Sequence, residues 1–356
     1  MPEAFLTLRG VSKQFGARAA LSNVDLTLHE GELLVVLGPT GAGKTTLLRT
    51  IAGLEQPSAG TLHIGGRDAL SLSPAERDVA FVFQNFSLYP DLSARQNMAF
   101  PLRAPGRRLA ETAIRERVEW AAALLKISHL LERKATRLSG GEMQRVAIGR
   151  AIVRRPKLFL MDEPLTNLDA KLREALRVEL VALRRELGAP MIYVTHDQAE
   201  ALSMGDRIVV LGNGRVLQTG SPESIYRTPA SPEVARQVGQ PRINLISLEP
   251  HGDHWLTKTG YPLLPRSAAQ PQRGITLGVR PEAVLLAGGP NAVTVELVEN
   301  TGPAQVAVFT WGGERVHALL GKGVPLKVGD TAFPHIQPDA FSIWPQESVV
   351  GHGPGA

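Results

Sequence analysis

One stretch of the sequence, Gly38 to Thr46, has the residue types and the spacing to hold phosphate groups. Its letters, GPTGAGKTT, give the pattern of glycine, four residues and Gly-Lys-Thr between the strand-like run ELLVVL and the helical run KTTLLRTIAG. In that pattern backbone N–H groups close around phosphate oxygens, Lys44 reaches the terminal phosphates and Thr45 offers its hydroxyl to Mg²⁺. The strand and the helix on either side make chance a poor explanation. The stretch predicts nucleotide contacts from Gly38, Pro39, Thr40, Gly41, Ala42, Gly43, Lys44, Thr45 and Thr46.

Two adjacent carboxylates end a second strand-like run, LFLMDEP. If this run lies in the same sheet, Asp162 can hold a metal ion, directly or through water, and Glu163 points to where an attacking water would lie. Pro164 prevents the strand from continuing. The alternative is a pair of solvated acids at a strand end, but the apolar run before them favours the first interpretation.

Two more polar residues follow strand-like runs. Gln84 comes after VAFVF, where an amide could bind the metal or orient water, and His196 ends MIYVTHD, where an imidazole could contact a γ-phosphate. Taken alone, each is better explained as an ordinary polar residue at a strand end. With the phosphate loop and the carboxylates, they complete a predicted catalytic set of Lys44, Gln84, Glu163 and His196, and a predicted metal-ligand set of Thr45, Gln84 and Asp162.

A second glycine-rich helix start, LSGGEMQR, begins at Leu138 and holds no lysine. Free N–H groups and the positive end of the helix dipole at such a start can hold an anion. Because the phosphate loop is already complete, this motif needs an explanation of its own.

Composition narrows the function classes. The chain has 356 residues, a net charge of +5 at pH 7 and no cysteine, which excludes disulfides and thiolate metal sites. The modest charge is spread among many acidic residues, so we expect no nucleic-acid partner. Apolar runs fall short of the roughly 20 residues of a spanning helix, and the start, MPEAFLTLRG, lacks the apolar core of a signal peptide. We therefore expect a cytoplasmic protein.

The order of patterns predicts two domains. Residues 1–240 alternate strand-like and helical runs, which predicts an α/β domain around a largely parallel sheet, with ELLVVLG, KLFLMD and MIYVTHD as buried strands. Helical periodicity from about Leu109 to Arg133 predicts a helical insertion, and Ser73-Pro74-Ala75-Glu76 has the residues of a capped helix start. Residues 241–356 carry short strand-like runs broken by glycine and proline, which predicts an all-β domain.

These motifs resemble, in composition and order, those of the ATP-binding cassette (ABC) ATPases: the phosphate loop, Gln84, LSGGE, LFLMDE, NLDA and VTHD. LSGGE is the most specific of them. The resemblance implies ATP and Mg²⁺ as cofactors, a mixed sheet, a helical subdomain at about 88–155 and an OB-like fold for the C-terminal domain.

The resemblance also implies roles for single residues. Glu163 matches the general base, Gln84 the sensor between metal and transporter, Asp169 a loop that faces a second subunit, and His196 the residue on the γ-phosphate. Phe15 matches the aromatic residue that stacks on adenine, with a core phenylalanine as the alternative.

For LSGGEMQR the resemblance implies half of a site. The Ser139 hydroxyl and the backbone of Gly140 and Gly141 would close over the γ-phosphate that another subunit holds. Two such composite sites form in a head-to-tail pair. The resemblance therefore implies a dimer, either with a second copy or with a paralogous subunit.

Within the superfamily, FVFQNFSLYPDLSARQNMAFPL, YVTHDQAEA and GSPESIYRTPAS resemble ATPase subunits of importers for maltose, multiple sugars and glycerol 3-phosphate. This implies two transmembrane permease subunits, an extracytoplasmic solute-binding protein that acts indirectly, and a peripheral position on the cytoplasmic face of the bacterial inner membrane. Leu88, Tyr89 and Leu92 would dock a permease helix, unless they pack within the helical subdomain.

Other functions stay open at this stage. Importers of polyamines, iron, sulfate or molybdate have ATPases of similar design. A non-transport ABC ATPase of DNA repair, chromosome organisation or translation usually carries long coiled coils, zinc-binding cysteines or two cassettes, and the sequence has none of these. A regulatory protein or ligand at the C-terminal domain is compatible with every one of these alternatives.

Overall fold

The computed structural model describes residues 4–104, 109–266 and 272–346. The chain divides into two compact units, Met1–Glu223 and Ser224–Ala356. The domain boundary that the sequence places at residue 240 stays a prediction.

The first unit contains a six-stranded sheet and a four-stranded sheet. Their strands are β1 (Ala4–Phe15), β2 (Arg18–His29), β3 (Leu33–Leu37), β4 (Ala59–Ile64), β5 (Arg67–Asp68), β6 (Val79–Val82), β7 (Leu158–Asp162), β8 (Met191–Thr195), β9 (Arg207–Gly212) and β10 (Arg215–Gly220). The larger sheet has the order β10-β9-β3-β8-β7-β6. Its strands β9, β3, β8, β7 and β6 are parallel, and β10 is antiparallel to β9.

The three strands predicted to be buried are confirmed. Every residue of β3, β7 and β8 is buried, as expected for parallel strands that are covered on both faces. The smaller sheet is antiparallel, in the order β2-β1-β4-β5, and its apolar side chains share one core with β3, β7 and β8.

Helices connect and cover the strands of the first unit. They are α1 (Lys44–Ala52), α2 (Ala94–Ala99), α3 (Glu111–Leu124), α4 (Gly140–Ile152), α5 (Ala170–Leu187) and α6 (Gln198–Met204), and α7 (Pro222–Arg227) spans the boundary between the units. The helices α2, α3 and α4 lie between β6 and β7 in the chain, where the sequence predicts a helical insertion.

The prediction of a helix that starts at Ser73 is wrong. Residues 74–78 form a turn, and only half of a capping box is present: the backbone N–H of Ser73 donates to Glu76 Oε2 at 2.9 Å. The Ser73 hydroxyl donates to the same oxygen at 2.6 Å, and the N–H of Glu76 donates to the carbonyl oxygen of Ser73 at 3.1 Å. The chain enters β6 at Val79, so no residues are left to propagate a helix.

The second unit is rich in β-structure. After α8 (Pro232–Gln237) it contains β11 (Asn244–His251), β12 (His254–Thr257), β13 (Pro262–Pro265), β14 (Ile275–Val279), β15 (Val284–Leu285), β16 (Val293–Asn300), β17 (Ala304–Trp311), β18 (Glu314–Gly321), β19 (Thr331–Ala332), β20 (His335–Ile336) and β21 (Phe341–Pro345). The orders β13-β12-β11-β14-β21 and β18-β17-β16-β19 describe its two larger sheets, whose core includes Trp255, Phe309 and Trp311. The strands predicted in ITLGV, AVTVELV and AQVAVFTW are confirmed as β14, β16 and β17.

In the part of the chain that the structure describes, no helix combines the length and the apolar character needed to span a membrane.

Candidate nucleotide-binding site

The predicted site residues meet at the carboxyl edge of the parallel sheet. Strands β3, β8, β7 and β6 are neighbours, and each ends just before a predicted site residue or loop. A pocket of about 620 Å³ opens there. It is lined by Phe15, Arg18, Ala20, Thr40, Gly41, Gly43, Lys44, Thr45, Thr46, Gln84, Glu163, Thr166 and His196. Crevices at this edge are the usual ligand sites of open α/β sheets.

The phosphate loop runs from the end of β3 to the start of α1. Gly43 is the N-cap of α1 and has a φ of 102°, a conformation that side chains disfavour. A Cβ atom at Gly43 would also lie 2.4 Å from the carbonyl oxygen of Ala20, so glycine is required there on two grounds. Gly38, Pro39 and Ala42 belong to the loop but do not line the pocket.

Lys44 is held inside this loop. Its side chain is 5% exposed, and Nζ donates to the carbonyl oxygens of Gly38 and Pro39 at 2.9 and 3.1 Å. The same ammonium lies 3.2 Å from Glu163 Oε1. A buried ammonium needs such oxygen partners, and the oxygens of a phosphate would supply the same chemistry.

The end of β7 supplies a metal-type carboxylate. Asp162 is 6% exposed, and its Oδ1 accepts a hydrogen bond of 3.1 Å from Thr45 Oγ1. Burial raises the pKa of Asp162, and the hydrogen bond from Thr45 only partly opposes the change. A hydroxyl and a carboxylate oxygen are the hard ligands that Mg²⁺ takes, so this pair fits that ion.

Glu163 joins two residues that the sequence places far apart. One carboxylate oxygen pairs with Lys44, and Oε2 lies 2.8 Å from Nδ1 of His196. Burial acts to raise the pKa of Glu163, but Lys44 and His196 together outweigh it, so the pKa is lowered. The carboxylate is therefore ionised at neutral pH, as a general base must be. Its backbone has a φ of 44°, in the left-handed region that is costly for residues other than glycine.

Phe15 lies at the rim of the pocket. Its side chain is 47% exposed, which contradicts the alternative of a core phenylalanine. Arg18, which begins β2 directly after the β1–β2 turn, and Thr166, whose hydroxyl donates to Glu163 Oε2 at 3.2 Å, are pocket residues that the sequence analysis missed. The only signal for Arg18 is a basic residue three positions after Phe15.

The loop that carries Gln84 is hydrogen-bonded to the loop after β7 and to α4. The backbone carbonyl oxygen of Gln84 accepts a hydrogen bond of 3.0 Å from Asn167 Nδ2, in the loop after β7. Arg150, near the end of α4, donates to the carbonyl oxygens of Phe86 and Ser87 at 3.0 and 2.6 Å. No sequence pattern singles out Arg150, because its partners are backbone atoms of a loop that is distant in the chain.

The signature residues Ser139, Gly140 and Gly141, and Asp169, do not line this pocket. Ser139 is the N-cap of α4, and Asp169 is the N-cap of α5, where its side chain accepts from the N–H of Leu172. A Cβ atom at Gly141 would lie 2.3 Å from Leu172 Cδ2. Close packing against the start of α5 is therefore one reason for this glycine, in addition to any contact with an anion.

Glu142 reaches back to the N-terminus of α4. Its Oε2 accepts hydrogen bonds from the backbone N–H and the hydroxyl of Ser139, at 2.8 and 3.0 Å. The hydrogen bond from the Ser139 backbone lowers the pKa of Glu142. In the structure the hydroxyl of Ser139 is thus satisfied within its own chain.

The apolar residues expected to dock a permease helix differ in exposure. Tyr89 is 42% exposed, whereas Leu88 and Leu92 are half-buried. Phe100, missed by the sequence analysis, is 49% exposed, and its ring centroid lies 4.4 Å from that of Tyr89. The two rings form one exposed aromatic surface, which we call the Tyr89–Phe100 pair.

The sheet, the loop between β3 and α1, and the carboxylates at the end of β7 define a phosphate-loop nucleotide-binding protein. Residues 21–166 match the family described as ABC transporter. The sn-glycerol-3-phosphate import ATP-binding protein UgpC of Yersinia pseudotuberculosis is 40% identical over 353 residues, 97% of this chain and 98% of its own length. UgpC 1 of Rhizobium johnstonii is 43% identical, over 91% of this chain and 90% of its own. The chain belongs to the ABC transporter family, as an ATP-binding subunit with ATPase activity.

Solved structures match the fold. The protein cbiO1 of Clostridium perfringens, part of the ABC transporter complex cbiONQ, aligns with a TM-score of 0.59 at 29% identity, over 66% of this chain and 94% of its own. A dimeric ATP-binding cassette in a post-hydrolysis state, bound to ADP and Pi, aligns with a TM-score of 0.55 at 33% identity, over 61% of this chain and 98% of its own. The α/β fold expected from the resemblance is confirmed.

Proposed function

We propose that this chain hydrolyses ATP to power an importer of glycerol 3-phosphate or a related sugar or polyol. The observation that carries the catalytic part is the contact of Glu163 with both Lys44 and His196 inside one pocket. The solute is inferred from the named function of the UgpC relatives, which align with the chain over almost its whole length.

In the proposed mechanism, the terminal phosphate of ATP replaces Glu163 as the partner of Lys44 and His196. The ammonium and the imidazole then stabilise the charge that develops on the phosphate. Glu163, released from both, accepts a proton from the attacking water. Phe15 supports the adenine ring by stacking, and the N–H groups of residues 40–46 surround the phosphates.

Thr45 and Asp162 would hold Mg²⁺, with Gln84 as a further ligand, and the ion would offset the charge of the phosphates. The pocket contains no residue of the signature motif. We therefore propose that Ser139, Gly140 and Gly141 of a second subunit complete the site, and that Asp169 lies at the dimer interface.

The partners follow from the same proposal. Two transmembrane permease subunits would bind the ATPase pair at the cytoplasmic face of the bacterial inner membrane, and the Tyr89–Phe100 pair is the apolar surface offered to them. An extracytoplasmic binding protein would deliver the solute. The second unit would serve regulation.

Reconstitution of the chain with its permease subunits and binding protein in liposomes tests this function. Uptake of labelled glycerol 3-phosphate should require ATP on the side of the membrane where the chain is bound. Lys44→Ala should lower hydrolysis at least ~100-fold, because it removes the positive charge that stabilises the transferred phosphate. Lys322→Ala, at an exposed site in the second unit, is the control and should retain full uptake. ATP-dependent uptake of a polyamine or an oxyanion in place of sugars and glycerol 3-phosphate would contradict the proposed solute.

A further inference from the structure

A buried carboxylate lies next to the candidate site without a role in it. Glu200, on the first turn of α6, is 4% exposed. One of its oxygens, Oε2, accepts hydrogen bonds from Tyr193 Oη at 2.9 Å and from Thr195 Oγ1 at 2.6 Å. A carboxylate is costly to bury unless such donors are present, so this arrangement has to be explained.

The network continues from Glu200 to both sides of His196. Thr195 Oγ1, while donating to Glu200, accepts a hydrogen bond of 2.9 Å from the backbone N–H of Asp197. Asp197 caps α6 by accepting from the N–H groups of Ala199 and Glu200. The residues before and after His196 are thus fixed by one set of hydrogen bonds, which we call the Glu200 clamp (Tyr193, Thr195, Asp197 and Glu200).

Strand β8 connects the clamp directly to His196. Side chains alternate along a strand, so Tyr193 and Thr195 share the face that meets Glu200. His196 follows the last residue of β8, and its Nδ1 lies 2.8 Å from Glu163 Oε2. The carbonyl oxygen of Thr195 also accepts from the N–H of Gly38, at 3.3 Å, which joins the clamp to the phosphate loop.

A further connection leads to the loop that carries Asp169. Arg173 Nη1 lies 3.6 Å from Asp197 Oδ2, and Arg173 Nη2 donates to the carbonyl oxygen of Leu168 at 3.0 Å. A displacement of the backbone at Asp197 would therefore affect two of the predicted motifs at once.

We propose that Glu200 is a positioning residue for ATP hydrolysis: through Thr195 and Asp197 it fixes the backbone on both sides of His196 and so keeps the imidazole in place beside Glu163 and the terminal phosphate. This inference rests on the role of His196 in the proposed function. Glu200 itself touches neither the nucleotide pocket nor Glu163 in the contacts above.

The test compares Glu200→Met with Glu200→Gln in the full-length chain. Methionine fills the space but accepts no comparable hydrogen bond, so kcat should fall about 10- to 100-fold, as expected for a misplaced group. The KM for ATP should stay within about twofold, because the phosphate loop and Phe15 remain intact. Glutamine should rescue kcat, since its amide oxygen can accept both hydroxyl hydrogen bonds.

A double-mutant cycle separates positioning from general stability. Adding Glu200→Met to His196→Ala should cause almost no further loss of kcat, because the positioned group is already gone. Glu32→Met is the matched control: the Glu32 side chain is 10% exposed and accepts from the N–H of His29, just before β3 at the edge of the sheet opposite the pocket. This control should lower the unfolding temperature and leave kcat unchanged.

Three results would overturn the proposal. In the first, Glu200→Met lowers the unfolding temperature as Glu32→Met does but retains the wild-type kcat. In the second, it lowers kcat by the same factor with and without His196. In the third, His196→Ala itself has the wild-type kcat, which would refute the proposed role of His196 and this inference with it. If Glu200→Met does not fold, Thr195→Val removes only the hydroxyl between Glu200 and Asp197 and is judged by the same kcat and the same cycle.

Discussion

At the scale of single residues, the site is organised by charge. Glu163 is the only carboxylate described here that contacts both the ammonium of Lys44 and the imidazole of His196, and these contacts keep it ionised despite its burial. Because Lys44 and His196 are also proposed to bind the terminal phosphate, the nucleotide and the Glu163 carboxylate compete for these two side chains.

Replacing Glu163 with glutamine removes the proton acceptor and the competing charge together. Hydrolysis should fall by a factor of about 10² to 10⁴, the usual contribution of a general base. ATP should bind at least as tightly as to the wild type, because an uncharged amide competes less for Lys44. Steady-state hydrolysis and equilibrium nucleotide binding check this, with the exposed Glu186→Gln on α5 as the control. Normal turnover by Glu163→Gln would exclude Glu163 as the base.

The raised pKa of Asp162 leads to a prediction about pH. For an acid whose pKa is higher in the folded than in the unfolded state, the favourable contribution is present at low pH and is lost as the pH rises through the folded pKa. Asp162→Asn keeps the acceptor for Thr45 without the buried charge. Without Mg²⁺ at neutral pH it should unfold roughly 2–4 °C higher than the wild type, the shift that about 1 kcal/mol causes in a domain of this size.

This gain should shrink as the pH falls below the folded pKa of Asp162, and the variant should lose the stabilisation by MgATP. Calorimetric melts with and without Mg²⁺ at several pH values measure both effects. An unfolding temperature for Asp162→Asn that is lower than that of the wild type at neutral pH would contradict the prediction.

At the scale of elements, three segments share one sequence signal for a helix start, but only two of them form helices. Ser73, Ser93 and Ser139 are each followed three residues later by Glu76, Gln96 and Glu142, and in each pair the later side chain accepts from the serine N–H. The return hydrogen bond to the serine hydroxyl forms only in the second and third pairs. Only the second and the third open helices, α2 and α4. The sequence signal and half of the capping box therefore do not decide the element; the residues that follow, and their packing, decide it.

The two helical capping boxes offer a matched pair of variants. Ser93→Ala and Ser139→Ala each remove a cap worth about 1 kcal/mol, so both should lower the free energy of unfolding by a similar amount. Only Ser139→Ala should lower ATP hydrolysis, because the Ser139 hydroxyl is also proposed to contact the phosphate in a second subunit. Denaturant unfolding and ATPase assays on the same samples distinguish the two effects. Equal ATPase activity of the two variants would remove Ser139 from the composite site.

The sequence predicts which elements carry the site but not how they meet. The strands β3, β7 and β8 and the residues at their ends could be read from apolar runs and motifs. The insertion of β8 between β3 and β7, which brings His196 to Glu163, depends on strand order, and no local pattern encodes it. For the same reason Glu200 and Arg150 were missed, since their importance lies in contacts that only the folded chain forms.

At the scale of the whole molecule, the signature motif and the phosphate loop occupy different places in one chain. Ser139 and Glu142 satisfy each other, and the nucleotide pocket contains neither. We propose on this ground that a second subunit completes the site, in agreement with the similarity of the fold to a dimeric cassette.

This proposal predicts dimers that depend on ATP. Glu163→Gln with ATP should elute as a dimer in size-exclusion chromatography with light scattering, and it should elute as a monomer with ADP, because only ATP offers the γ-phosphate that joins the subunits. A bulky residue in place of Gly140 should prevent the dimer, because a Cβ atom there makes only ordinary contact within its own chain, 3.5 Å from Leu168 Cδ2, and a larger side chain would occupy the space proposed for the partner's phosphate. A dimer of equal stability with ADP would contradict the phosphate-bridged interface.

The backbone of Glu163 also bears on how this chain could be engineered. Its left-handed conformation costs a non-glycine residue on the order of 1 kcal/mol, which glycine would recover. Glycine would also remove the carboxylate that pairs with the buried Lys44 ammonium and with His196, so the backbone gain and the lost contacts oppose each other. Any selection for a more robust form of this chain has to include turnover, because heat resistance alone does not report whether the carboxylate at this position is kept.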